Sequence, residues 1–484
     1  MSEKPGAAGR KAAFHSLGCR VNIYETGVME TCMKDAGYEI VPFAPGADIY
    51  VINTCTVTNI ADRKSRQMLH KAKEMNPRAV VAAVGCYVED AGEALLADPA
   101  VDVVVGNADK GRLPEILEAY FRETKNWEEG HHAFVQNTVR INAVQEYEEM
   151  PFYAEGEHTR AFIKIQDGCN QFCSYCMIPY VRGRVRSRKP EEIVREAGAL
   201  AGLGYREIVI TGIHVSSYGL DFEYPGENRQ TPFAREAETN HRLLEVLRAV
   251  AGVPGIRRIR MGSLEPGIVT EEFAEALSEI PEFCPSFHLS LQSGCDETLR
   301  RMRRKYTTED YARVCARLRR YFSDASITTD VIAGFPGETE TEFQKTLSFV
   351  RDIHFARMHI FKYSVRRGTA AARMDGQVPE AVKAERAKKL AEIDEAGRTA
   401  FARHFLGKTC EVLLEELRGE VFTGYTREYV PARLRCAEGK PGEIVRFVPE
   451  EEQGGELLAR RIVTGPQPDS DAQLVLQGKC PARE

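Results

Sequence analysis

Short β-branched runs alternate with polar, helix-compatible stretches between residues 12 and 121. The strand candidates are "AAFHSLGC" (12–19), "ADIYVINTC" (47–55), "AVVAAVGC" (79–86) and "VDVVVGN" (101–107). This rhythm predicts an α/β fold, here an open N-terminal domain with a parallel sheet. Residues 122–158 break the rhythm. They are polar and acidic, include the only tryptophan, Trp127, and read as a linker. From 159 to 378 the alternation resumes, with strands expected at "RAFIKIQDG", "REIVITGI", "IRRIRMGSL", "SFHLSLQ", "ITTDVIAGF" and "ARMHIFKYS". The segment 190–204 between the first two begins on Pro and ends on Gly, as a helix does. Six β/α units predict a partial (β/α)6 barrel, open on one side. Residues 379–405 read as a connecting helix whose amphipathic pattern runs on to Gly407. Over 406–464 short strands separated by turns predict a small antiparallel β-barrel, and 465–484 read as a tail.

Composition narrows the setting. A chain of 484 residues is too long for one core, so two to four domains are expected. No run of about 18 apolar residues is present, and the opening "MSEKPGAAGRKA" lacks an apolar export core. A cytoplasmic protein without a membrane span is therefore expected. In a reducing compartment the 13 cysteines point to metal or catalysis rather than to disulfides. The net charge of −6 gives no global attraction to nucleic acid, so any such binding must come from local patches.

The cysteines carry the chemistry. "DGCNQFCSYCMIPYVRGRVRSR" (167–188) follows the first barrel strand and sets Cys169, Cys173 and Cys176 in C-x3-C-x2-C spacing. Structural zinc takes four ligands, usually as two C-x2-C pairs, and no partner pair lies nearby. Three thiolates instead leave one iron of a four-iron cluster open to a small molecule. Zinc remains the competing reading. Three N-terminal strands end on Cys19, Cys55 and Cys86, and parallel neighbours would bring those ends together, where ligands of such sheets gather. Cys32, Cys315 and Cys410 read as buried small hydrophobes.

Arginines follow the cysteines. Arg182, Arg184, Arg186 and Arg188, with "RRMRRK" (300–305) and "RKSRQ" (63–67), form patches expected to hold phosphates, against the plainer reading of a solvated face. In the last domain Tyr425, Arg427, Tyr429 and Arg433 offer stacking and phosphate contacts of the kind RNA binders use, although "PEEEQ" nearly balances their charge.

The C-x3-C-x2-C loop resembles the signature of the radical S-adenosylmethionine superfamily. That resemblance implies that S-adenosylmethionine chelates the open iron and is cleaved to a 5′-deoxyadenosyl radical. Tyr175 resembles the position beside the adenine. Thr211 and Gly212 in "ITGIHVSS", Gln292 and Ser293 in "LSLQSG", and Gly334 in "DVIAGFPGET" resemble segments that meet the cofactor. Around Cys19, Cys55 and Cys86 the sequence is similar to the N-terminal domain of the methylthiotransferases, where such cysteines hold a second [4Fe–4S] cluster. The C-terminal segment resembles the TRAM domain, an RNA-binding barrel. The three pieces, in the family's order, span roughly 12 to 464. "NTCTVTNIADRKSRQ" and the cysteine loop are most similar to the branch that methylthiolates C2 of N6-threonylcarbamoyladenosine at tRNA position 37. Met177 departs mildly from the branched aliphatic residue usual there.

The resemblance implies two molecules of S-adenosylmethionine, one as methyl donor and one as radical source. It also implies a tRNA anticodon stem-loop as partner, an electron donor such as a flavodoxin or ferredoxin system, and a monomer. Methylthiolation of isopentenyladenosine in tRNA or of a ribosomal-protein aspartate is the alternative within the class. A non-catalytic iron–sulfur RNA-binding protein is the alternative outside it.

Overall fold

The structure is a computed structural model and describes residues 9–123, 141, 144, 146–150, 159–224, 236–435 and 439–460. Most of the linker expected over 122–158, with Trp127, and the tail expected over 465–484 lie outside the described residues.

The N-terminal strands are β1 (Lys11–Ser16), β2 (Glu39–Val41), β3 (Ile49–Thr54), β4 (Val80–Gly85) and β5 (Val103–Val105). They form one parallel sheet in the order β2-β1-β3-β4-β5. Every residue of β3 and β4 is buried, which explains their continuous apolar runs. Helices cover both faces. One core gathers Met29, Val51 and Leu117, the other Ile52, Leu69 and Val88. β2 went unread because, unlike the equally short but fully buried β5, its three residues "EIV" are only partly buried and form no apolar run.

Seven strands build the middle domain: β6 (Arg160–Asp167), β7 (Arg186–Ser187), β8 (Glu207–Gly212), β9 (Arg258–Met261), β10 (Ser286–His288), β11 (Ser326–Ala333) and β12 (Arg357–Lys362). β6, β8 and β9 are parallel neighbours, and so are β10, β11 and β12. Parallel bridges at Ile259–Phe283 and Leu264–Leu289 join the two groups. Six parallel strands thus make the expected partial barrel. β7 adds an antiparallel edge beside β6, and among the described residues nothing pairs β6 with β12.

The helix Glu380–Arg403 crosses to the last domain, six strands in the order β16-β13-β14-β15-β18-β17. These are β13 (Cys410–Arg418), β14 (Val421–Thr426), β15 (Pro431–Arg435), β16 (Ile444–Phe447), β17 (Glu451–Gln453) and β18 (Glu456–Ala459). All pairs are antiparallel except β15–β18, and the core includes Phe422, Leu434, Phe447 and Leu457. Among the described residues no helix is long and apolar enough to cross a membrane.

Buried arginines fasten the domains together. Arg366, after β12, donates to Asn59 (2.8 Å), Thr56 (2.6 Å) and Asp90 (2.7 Å) and pairs with Asp62, all in the N-terminal domain. On the opposite side Glu207, 1% exposed, faces Arg260 at 2.8 Å, Arg258 at 3.6 Å and Arg160 at 3.8 Å. Arg260 then donates to the carbonyls of Thr426 (2.6 Å) and Arg427 (2.7 Å), and Arg258 to that of Tyr425 (3.2 Å). One carboxylate therefore anchors three cations that grip the C-terminal domain. Removing it leaves buried charge uncompensated. Glu207→Ala should cost about 3–5 kcal/mol of stability, read as a lower midpoint in chemical denaturation.

Candidate active site

Both cysteine groups sit at the carboxyl ends of parallel strands. Cys19 follows β1 and caps the helix Arg20–Asp35. Cys55 follows β3, and Cys86 begins the helix Cys86–Ala91 after β4. Cys55 and Cys86 are buried, while Cys19 is exposed. Glycine sets this approach. Gly18 has φ +95°, and a Cβ on it would lie 2.6 Å from the Cys55 sulfur. That space is free only because residue 18 has no side chain. Gly85, before Cys86, has φ +99°, and its Cβ would meet Asn53 Oδ1 at 2.6 Å.

The second group follows β6 in the loop Gly168–Met177. Cys169 and Cys173 are buried and Cys176 is half-buried. Here too glycine precedes the first cysteine: Gly168 has φ +73°, and a Cβ would lie 1.8 Å from the carbonyl oxygen of Arg184. The Cys169 amide donates to the Gly183 carbonyl (3.0 Å), so the loop closes onto the arginine segment. A Gly-Cys pair directly after a strand thus occurs three times, and the pair is itself legible in the sequence.

Charged residues surround the cysteines. Arg182 donates from Nε to the Cys86 sulfur (3.2 Å). Nη1 reaches Glu25 (2.8 Å) and Asp167 (3.2 Å), and Nη2 reaches Asn22 (2.7 Å) and Glu25 (2.9 Å). Lys164 bridges Glu25 and Asp167 at 2.6 Å each, and Lys110 pairs with Glu25. Burial opposes ionisation of Glu25, but Arg182, Lys110 and Lys164 outweigh it and hold the carboxyl well below the usual range. Asp167 is held low likewise, by Lys164 and Arg182. Asn107 Nδ2 adds a longer contact to Cys86, at 3.7 Å. At the other triad, Arg304 donates from Nη1 to the Cys173 sulfur (3.2 Å), from Nε to Tyr306 (2.9 Å) and from Nη2 to Glu265 (2.5 Å).

These donor sets fit iron–sulfur clusters. Each offers three thiols and no fourth protein ligand among those predicted, and each has a cation directed at one sulfur. Burial raises Cys55 to about 11 and, with Cys173 beside it, Cys176 to about 12. As thiols these groups stay protonated, so metal binding has to displace their protons.

A cavity of about 750 Å³ opens beside Cys19 and runs through the barrel to the C-terminal domain. Thr211 and Gly212 line its start. Ser286 and His288 of β10, Thr328 and Asp330 of β11, and Arg357 and His359 of β12 line its length. Tyr425 and Tyr429, stacked at 4.5 Å, line its far end.

Other predicted residues are placed differently. Tyr175 packs edge-on to Phe335 at 6.3 Å, outside the cavity wall. Gln292 is buried at φ +69°, with its amide on the Asp330 carbonyl (2.9 Å). Ser293 is buried against Thr346, and Gly334, at φ +75°, lies where a Cβ would strike Lys383. The arginine expectation needs correction. Arg182, Arg186 and Arg188 are buried, so they present no surface to a phosphate. Arg186 donates to the carbonyls of Arg182 (3.0 Å) and Arg184 (2.9 Å), and Arg188 pairs with Glu149 (3.0 Å) and Glu196. Arg184 lies 4.3 Å over the Phe172 ring. Arg304, within "RRMRRK", is likewise inside, whereas Arg300, Arg303 and Lys305 beside it are exposed. Arg427 is taken up by the carbonyls of Pro281 (2.6 Å) and Phe283 (2.9 Å), and Tyr425 by its partner ring. Arg433 is exposed beside Glu456 (2.6 Å). Arg63, Lys64 and Arg66 are also exposed, on the helix Asn59–Met75.

A family model described as the radical SAM superfamily matches residues 163–350, and one described as the uncharacterized protein family UPF0004 matches 11–106. The threonylcarbamoyladenosine tRNA methylthiotransferase MtaB of Bacillus subtilis (strain 168) is 38% identical over 439 residues, which cover 90% of this chain and 92% of that one. Its counterpart in Aquifex aeolicus (strain VF5) is 38% identical over 408 residues, 84% and 93% of the two chains. The tRNA-2-methylthio-N(6)-dimethylallyladenosine synthase of Mycobacterium sp. (strain MCS) is 33% identical over 478 residues, 98% and 88% of the two. Among solved structures, the radical S-adenosylmethionine methyltransferase TsrM of Kitasatospora setae shares the fold, with a TM-score of 0.51 at 17% identity over 73% of each chain.

Gly168→Ala should force the cysteine loop off the Arg184 carbonyl. A lower Tm, together with iron lost from the purified protein, is the expected result.

Proposed function

The chain belongs to the radical S-adenosylmethionine tRNA methylthiotransferases, and we propose that it methylthiolates C2 of N6-threonylcarbamoyladenosine at tRNA position 37. One observation carries this choice over the dimethylallyl substrate: the polar wall of the barrel cavity. Thr328, Asp330, Arg357 and His359 face that space. Among the described residues the Arg357 side chain, exposed on the cavity wall, makes no hydrogen bond or ion pair and can receive a carboxylate. A dimethylallyl group entering there would leave these polar groups without partners, which is how a site built for hydrogen bonding rejects an apolar analogue. The similarity to relatives named for the threonylcarbamoyl substrate supports the same choice.

Cys169, Cys173 and Cys176 would hold one [4Fe–4S] cluster, and Cys19, Cys55 and Cys86 a second. When bound, the first with S-adenosylmethionine would supply radical chemistry, which an aromatic C–H without useful acidity requires, and the second would hold the sulfur that is methylated and transferred. The protein's own part is to bind, orient and exclude water. Thr211 and Gly212, on the cavity wall with Cys19, would meet S-adenosylmethionine there. Gln292, Ser293 and Gly334 would act by shaping the strand ends, and Tyr175 by closing the side of the loop. The target base leaves the anticodon loop and enters the cavity, at modest cost for a loop nucleotide. Arg63, Lys64, Arg66 and Arg433, which stay exposed, are the cations offered to the RNA backbone. A flavodoxin or ferredoxin system would supply electrons to a monomeric enzyme.

Nucleoside mass spectrometry of tRNA from a deletion strain tests the reading. The 2-methylthio form should vanish while threonylcarbamoyladenosine accumulates; its persistence with no second enzyme present overturns it. Arg357→Met should raise KM for the tRNA roughly tenfold to a hundredfold, the range expected for a lost charged hydrogen bond. Cleavage of S-adenosylmethionine without RNA should be unchanged in that variant. Cys86→Ala should lower iron from about eight to about four atoms per chain, as expected when one of two four-iron clusters is lost.

A further inference from the structure

We infer that Arg182 and Arg304 are positioning residues that set the reduction potentials of the two cysteine sites by hydrogen-bonding one sulfur in each. The inference rests on the two-cluster reading above. The two arginines lie far apart in sequence, yet each holds the same three-part arrangement: a cysteine sulfur, a carboxylate and a buried guanidinium between them.

At the first site Arg182 is fully buried, and five N–H donors reach Cys86, Asn22, Asp167 and both oxygens of Glu25. Every donor is occupied, and Nε is directed at a sulfur across the domain boundary. The nearby charges do not cancel. Arg182, Lys110 and Lys164 face Glu25 and Asp167, three cations against two carboxylates, with Arg186 a further 3.7 Å from Asp167. At the second site the Arg304 side chain is 5% exposed. It reaches the Cys173 sulfur at 3.2 Å and is held by Glu265 at 2.5 Å. His214 Nε2 lies 3.7 Å from the same carboxylate.

The direction of the effect follows from charge. Reduction adds an electron to a group already made anionic by thiolates. A buried cation and a donated hydrogen bond stabilise that added charge and raise the potential. The carboxylates oppose it. The sign therefore reverses between the two kinds of variant, which a purely structural role does not predict.

The test uses full-length protein reconstituted anaerobically with iron and sulfide, with the potentials read by EPR-monitored titration. Replacing Cys169, Cys173 and Cys176 with Ala isolates the first site; replacing Cys19, Cys55 and Cys86 isolates the second. With the first site isolated, Arg182→Gln should lower the reduction equilibrium about tenfold, ~59 mV for one electron. Arg182→Lys should recover part of that, and Glu25→Gln should move the potential the other way. Arg304→Gln should lower the second site's potential and leave the first unchanged. If Arg182→Gln takes up no iron, Glu25→Gln and Arg304→Gln decide. Potentials within about threefold of the parent in reduction equilibrium overturn the inference. Failure of the underlying reading has a separate signature: the wild-type chain would bind about four irons in all, with none in the protein whose first site is isolated.

Discussion

The architecture depends on one constraint: a buried guanidinium must spend every donor it has, because an unpaired buried charge costs several kcal/mol. Arg182 satisfies that demand only when Glu25 and Asn22 of the N-terminal domain meet Asp167 of the barrel. Its position is therefore a condition on how the two domains dock. Once it is met, Cys86 at its strand end and Asp167, which leads into the loop bearing Cys169, are held by the same guanidinium. Arg366 imposes a similar condition at a second point of that interface, and the Glu207 group does so at the C-terminal domain. None of these clusters is evidence of extra stability, since a well-packed apolar substitute often does as well. What they add is specificity of docking, because only one arrangement of the domains satisfies them all.

The same constraint explains the split between what the sequence showed and what it hid. The strand ends were legible, since β-branched runs ending on Cys19, Cys55 and Cys86 reported both the sheet and the edge on which its ligands gather. The C-x3-C-x2-C loop was legible because its ligands are local. The fate of the arginines was not. Burial of Arg182 is decided by Glu25, which lies 157 positions away, and burial of Arg188 by Glu196 together with Glu149 in the acidic segment after residue 122. A run of arginines looks the same whether its counter-charges arrive from solvent, from RNA or from another domain. The acidic linker shows no partner in the sequence for the same reason. Where it is described, Glu149 closes on Arg188, and Tyr147 donates to the Lys164 carbonyl.

This pairing also reconciles a net charge of −6 with an RNA substrate. Much of the basic content close to the cysteines is neutralised inside the molecule and contributes nothing to an outer field. Cations left exposed, among them Arg63, Lys64 and Arg66 on one helix, Arg300, Arg303 and Lys305 after β10 and Arg433 on β15, come from separate domains. A composition total averages the two populations and sees neither.

The interior of the barrel gives the clearest link from pattern to substrate. A closed (β/α) barrel fills its centre with branched apolar side chains. Here the inward positions of three consecutive strands are polar: Ser286 and His288, then Ser326, Thr328 and Asp330, then Arg357 and His359. The apolar residues between them, Phe287, Ile327, Val331 and Met358, point outward into the helix-packed core. Where a filled barrel is apolar on both faces of its strands, these strands alternate polar and apolar with period two, readable in "SFH", "SITTD" and "RMH" once the barrel is recognised. The half-buried groups among them, His288, Thr328, Asp330 and His359, lose hydration when the space is filled unless something pairs with them, while Arg357 is exposed. His288 reaches Asp330 at 3.3 Å, but that contact does not engage Arg357. A ligand that fills this space and pairs with these groups is itself polar and, opposite Arg357, anionic. A threonylcarbamoyl group has a carboxylate and a hydroxyl to offer; a dimethylallyl group has neither.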